Sequence, residues 1–171
     1  MGACRVVVFD PMRSVNDDNY PDDETGDARN RAWEWIELVG VKLPPGTIDI
    51  LADEDTDDPV AAEVPSGSRA EVAGNLRVPL RADQLVRGTR EHSGGRAADG
   101  RLTDQFAFTI TNQDSRPRLV IVEEQLRTAK RRKVVPIKPH EPTVIDDIAR
   151  FELDVPANGT VRVRLVVEYE L

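Results

Sequence analysis

Apolar residues take every second position along the C-terminal end of this chain. In Thr160 to Leu171 (TVRVRLVVEYEL), Val161, Val163, Leu165, Val167, Tyr169 and Leu171 alternate with Arg162, Arg164, Val166, Glu168 and Glu170. A strand sends successive side chains to opposite faces, so the pattern predicts a strand with one buried face and one wet face. The same alternation predicts strands over Asp104–Thr111, with Phe106, Phe108 and Ile110 on one face, and over Arg150–Val155, with Phe151, Leu153 and Val155 inward. Arg118–Leu126 (RLVIVEEQL) reads as a further strand, and Val134–Ile137 as a short one. The polar run Asn112–Pro117 and the Pro156-Ala157-Asn158-Gly159 sequence are turns. In the second of these, Asn-Gly readily takes positive φ.

The first half is patterned less sharply. Cys4–Phe9 (CRVVVF) is strand-like and ends at Asp10-Pro11. Trp33–Val39 (WEWIELV) has both strand and helix character; the Pro44-Pro45-Gly46 turn that soon follows favours the strand. Thr47–Leu51 and Val60–Val64 form an expected hairpin around the acidic turn Asp53–Asp58. Separate strands are expected around Asn75–Leu80 and Gln84–Thr89. The small, polar, glycine-rich run from Glu91 to Arg101 reads as a linker or flexible loop.

These elements predict an all-β chain. Residues 101–171 are expected to form an immunoglobulin-like sandwich, and residues 1–90 a β-subdomain with acidic loops or an extension of the same sandwich. Residues 91–100 are the expected boundary.

Aromatic residues make up only 5% of the 171 residues, so Val, Leu and Ile must build most of the core. Trp33 and Trp35 supply either bulk for that core or an aromatic recognition surface. The net charge of −8 disfavours broad nucleic-acid binding. No apolar run approaches the roughly 20 residues that span a bilayer as a helix. Cys4 is the only cysteine, so no intramolecular disulfide forms; in a strand it is expected to act as a small buried hydrophobe. A cytoplasmic location is the default expectation, with an excised domain of a larger protein as the alternative.

Three groups carry candidate chemistry. Asp53, Asp55 and Asp57 have the one-three-five spacing of a calcium loop. However, Asp58 stands where that loop needs glycine and Val64 where it needs glutamate, so a solvated acidic hairpin tip competes with Ca2+ binding. The acidic stretch Asn16–Asp27 could share such a cation or meet a basic partner. Arg127, Lys130, Arg131, Arg132, Lys133 and Lys138 concentrate positive charge in an acidic chain. They suit a protein partner or self-contact; no interleaved aromatic residues offer nucleic acid a stacking platform. His140-Glu141 with Asp146-Asp147 is the third group, with an exposed loop as the competing reading.

Four segments together resemble a known family. They are Leu43-Pro44-Pro45-Gly46-Thr47, Phe108-Thr109-Ile110-Thr111-Asn112, Val120-Ile121-Val122-Glu123-Glu124, and Val155-Pro156 through Tyr169. The chain is similar, over roughly residues 40–171, to the domain of unknown function at the C-terminal end of mucoidy-inhibitor-like proteins. The resemblance implies an all-β fold and carries no catalytic residue. The coiled-coil helices and N-terminal domain usual in that family are missing here.

The functional expectation is a non-enzymatic protein-binding or assembly module. Two alternatives stand beside it: a metal-dependent hydrolase using the acidic residues, and a structural or decoration domain of a larger assembly.

Overall fold

A computed structural model describes residues 2–11, 30–40, 46–50, 60–64, 71–72, 75–96 and 101–170. Among them are twelve strands and no helix. The strands are β1 (Gly2–Phe9), β2 (Arg31–Val39), β3 (Gly46–Ile50), β4 (Val60–Val64), β5 (Glu71–Val72), β6 (Asn75–Arg96), β7 (Arg101–Asn112), β8 (Arg118–Gln125), β9 (Arg131–Val135), β10 (Thr143–Ile145), β11 (Ile148–Val155) and β12 (Thr160–Glu170). The chain is all-β. β3 and β4 form the expected antiparallel hairpin. The other ten strands make one sheet in the order β10-β11-β8-β1-β2-β6-β7-β12-β9, with β5 paired to β6. Only β1 and β8 pair in parallel along that path; the other neighbours are antiparallel.

β6 joins the two arms of the sheet. Its first half pairs with β2, from Asn75 opposite Val39 to Arg87 opposite Arg31. Its second half pairs with β7, from Val86 opposite Asn112 to Arg96 opposite Leu102. Register shifts in the β2 pairing lie next to this exchange. A strand that changes partners at such an irregularity turns a corner between two layers. The sheet accordingly folds back on itself. Phe108 of β7 meets Phe151 of β11 with ring centroids 6.4 Å apart, although the two strands lie five places apart in the sheet.

The resulting core draws on both halves of the chain. Val7, Phe9, Ala32 and Val86 join Phe106, Phe108, Ile110, Phe151, Leu153, Val163, Leu165, Val167 and Tyr169. The alternation expected along β7, β11 and β12 is what buries these positions. Gly88 is required where the corner closes: a Cβ there would lie 2.4 Å from the Phe9 ring.

Several expectations are corrected. The two strands expected at Asn75–Leu80 and Gln84–Thr89 are one 22-residue strand. Glu91–Arg96 is strand rather than linker, because β7 supplies hydrogen-bond partners along its whole length. The short strand expected at Val134–Ile137 begins earlier: β9 takes in Arg131, Arg132 and Lys133 of the basic run and pairs with the end of β12. Cys4 is exposed rather than buried, on the face of β1 where it sits opposite Glu37.

Candidate functional site

β9 is a terminal strand of the sheet, and the end of β12 lies beside it. Pairing sets Arg131 opposite Glu170, Arg132 opposite Tyr169 and Lys133 opposite Glu168. A cleft of about 340 Å³ opens here, lined by Arg101, Arg131, Arg132, Lys133, Glu168, Tyr169 and Glu170. Its lining carries four cationic and two anionic side chains, on a molecule of net charge −8.

The cations of this cleft are held very differently. Arg132 is committed to the turn between β10 and β11, bonding the Asp147 carboxylate and the Asp146 carbonyl. Arg131 only grazes Glu170 at 4.0 Å, with side chains 82% and 49% exposed. Lys133 lies 3.9 Å from Glu168, at 73% and 44% exposure. Exposed pairs at this distance contribute little, so an incoming carboxylate can replace them at small cost. Arg127, expected in the same patch, faces away from this role: its Nε donates to Asp104 Oδ2 at 2.7 Å. Lys130 is exposed just before β9.

A second cleft, of about 480 Å³, is lined by Arg5, Val7, Glu34, Arg81, Pro117, Arg118 and Leu119. Its three arginines converge on buried Glu34. Arg5 bonds it, Arg81 Nε donates to it at 2.8 Å, and Arg118 lies 3.6 Å away while also holding Asp83 and Asp114. Burial works against ionisation of Glu34, but the bonds from Arg5 and Arg81 outweigh it and hold its pKa below the ordinary carboxylate range. The positive charge of this cleft is thus largely answered from within.

A third cluster was invisible in the pattern. His92 Nε2 and Asp104 Oδ1 are 2.9 Å apart, and the imidazole stacks on Phe106 at 4.7 Å between centroids. Burial opposes ionisation of Asp104, yet hydrogen bonds from His92 and Arg127 hold its carboxyl below its ordinary range. Arg90 lies over the other part of this wall, 4.8 Å from the Phe106 centroid, and grips Glu124 through two bonds of 2.7 Å. The enabling residue is Gly94, opposite Asp104: a Cβ there would lie 2.6 Å from Asp104 Oδ1. Only the register of β6 on β7 brings Gly94, His92 and Asp104 together, so no pattern along the chain signals this cluster.

The charged residues in the strands also build a buried quartet. Arg77 donates to Glu123 through bonds of 2.7 and 2.8 Å, and Arg150 lies 3.4 Å from Glu37 and 3.7 Å from Glu123. Asn75 adds a bond to Glu37.

Asp53, Asp55 and Asp57, like the acidic stretch Asn16–Asp27, lie outside the described residues. Asp147, half of the second acidic pair, is engaged by Arg132 rather than gathered with His140. Among the described residues, no three His, Cys, Asp or Glu side chains are grouped to hold a metal ion. Trp33 is buried and Trp35 half-buried in β2. No helix among the described residues is long and apolar enough to cross a membrane. Comparison with protein-family models, curated proteins and solved structures gives no match.

Proposed function

We propose that this chain is a non-enzymatic binding or assembly module that receives an acidic protein segment in the cleft between β9 and the end of β12. One observation carries the reading: Arg131 and Lys133 stand highly exposed on a terminal strand, weakly paired, in a cleft with excess positive charge. Local charge opposite to the molecule's net charge favours partners of one sign and one orientation. A terminal strand also offers backbone groups that an extended segment can pair with. The likeness of residues 40–171 to the mucoidy-inhibitor-like C-terminal domain fits an all-β module and adds no site residue. An immunoglobulin-like arrangement of the C-terminal strands belongs to the same reading.

The test is fluorescence anisotropy with a labelled oligoglutamate peptide. Binding should weaken steadily with added salt, and Arg131→Glu with Lys133→Glu should abolish it while leaving the circular dichroism spectrum unchanged. Equal binding by the variant, or none by the parent protein, would overturn the reading.

A second reading rests on His92 and Asp104. A carboxylate that fixes one imidazole nitrogen leaves the other placed for proton transfer, as acid–base chemistry requires. Neither cleft described above is lined by His92, which favours the binding reading. Hydrolysis of a generic ester by the parent protein, lost in His92→Gln, would reverse that preference.

A further inference from the structure

We infer that the acidic segment received at β9 is Asp53–Asp57 of a second copy of this chain, added as an extended strand beside Arg131 and Lys133. The inference rests on the binding reading above and names its partner.

Two independent patterns meet here. On β9, Arg131 and Lys133 are two residues apart and so share one face of the strand, roughly 7 Å from one another. In the sequence, Asp53, Asp55 and Asp57 stand at the same two-residue spacing. A segment held extended at a sheet edge would send those three carboxylates to one side, at the repeat of the two cations. Opposite charges directly across a strand pair are favourable, and like charges are not. The other acidic stretch fits less well. It offers the two-residue spacing once, at Asp22 and Glu24, whereas Asp53, Asp55 and Asp57 repeat it along the segment.

The sheet leaves room for such a strand. β9 pairs with β12 on one side, and among the described residues no strand lies on the other. Its cations also discourage non-specific edge pairing, since a neutral or basic strand would bury them unanswered. An acidic strand removes that penalty, so the same residues that protect the edge select its partner. The donating segment and the receiving edge are different surfaces, so the contact is head-to-tail. Each copy then keeps one unused segment and one unused edge, and association continues until a ring closes.

Size-exclusion chromatography with light scattering tests this at about 0.1 M salt, where screening over about 10 Å suppresses the general repulsion between acidic copies. The mass of the parent protein should rise with concentration. The combined Asp53→Lys, Asp55→Lys and Asp57→Lys variant should stay monomeric, and so should the Arg131→Glu, Lys133→Glu variant. An equimolar mixture of the two should associate again, because the reversed segment now matches the reversed edge. A parent protein that stays monomeric at every concentration overturns the inference, as does association unchanged in either variant. If the parent is monomeric yet binds oligoglutamate through Arg131 and Lys133, the partner is another acidic protein and the binding reading stands. If it does neither, both fail.

Discussion

Single residues with the least side chain control the tightest places in this fold. Gly88 lets the Phe9 ring lie directly against β6, where an added Cβ would sit 2.4 Å from it. Gly88→Ala must displace either a buried aromatic ring or the backbone, and should cost about 1–3 kcal/mol in chemical denaturation. Gly94→Ala has a more local result. Its Cβ would meet the Asp104 carboxylate at 2.6 Å and push it off His92. The nitrogen-15 shifts of the His92 ring should then lose the preference for a proton on Nε2, while Asp104→Asn should do the same without touching Gly94. Asn112 acts in the opposite way, through its polar atoms. Fully buried, it donates to the carbonyls of Arg116 and Pro156 and accepts from the Asp114 amide. It thereby ties together the two turns flanking β8 and β12. Asn112→Ala leaves those backbone groups without partners and should cost about 2–3 kcal/mol. The pattern of the sequence shows which residues are apolar and alternating, and in β7, β11 and β12 the expected inward positions from Phe106 to Tyr169 are buried, with Val161 half-buried. It does not show which glycines are close approaches. That depends on what a strand distant in sequence places opposite them, so Gly94 passed for a linker residue.

Elements show the same division between local and distant information. β7, β11 and β12 were legible because one buried face repeats every two residues along each. β6 was not, because its two halves serve different partners and a break in its apolar pattern marks a corner rather than an end. β9 starts three residues before the short strand expected at Val134–Ile137, because Glu168 and Glu170 on β12 answer two of its three consecutive cations. Glu37 and Glu123 are charged yet buried against Arg77 and Arg150, contributed by β6 and β11. A buried charge without its partner is costly, whereas replacing the whole pair by apolar groups often is not. Glu123→Ala, which removes both hydrogen bonds of the buried Arg77 and leaves it only Glu37 at 3.5 Å, should therefore destabilise by about 3 kcal/mol. Arg77→Met combined with Glu123→Leu should cost clearly less than Glu123→Ala alone. Denaturant midpoints for the two variants decide between this and a quartet that contributes by attraction alone.

For the whole molecule, the arginine-held carboxylates predict how stability depends on pH. Glu34, Glu37 and Asp104 are each buried, which opposes ionisation; neighbouring cations outweigh that, and all three sit below their ordinary pKa range. The folded protein therefore binds protons less readily than the unfolded chain. Their contribution is fully present above the ordinary carboxylate range, near pH 4, and is lost as pH falls through the lower folded values. The urea midpoint should be level in this respect from neutrality to about pH 5 and fall steeply below it. A midpoint unchanged down to pH 3 would mean these pairs do not favour the folded state.

The same charges give the molecule its outward character. Arg81, Arg77, Arg90 and Arg127 are each gripped by a buried carboxylate, Glu34, Glu123, Glu124 and Asp104 in turn, whereas Arg131 and Lys133 remain outward and weakly held. The proposed binding surface is this exposed, weakly paired end of the sheet at β9. A map of backbone amide chemical-shift changes on adding oligoglutamate tests this most directly. Changes confined to Arg131–Val135 and Glu168–Glu170 are the predicted result. Changes centred instead on Arg5, Arg81 and Arg118, or none at all, would contradict it.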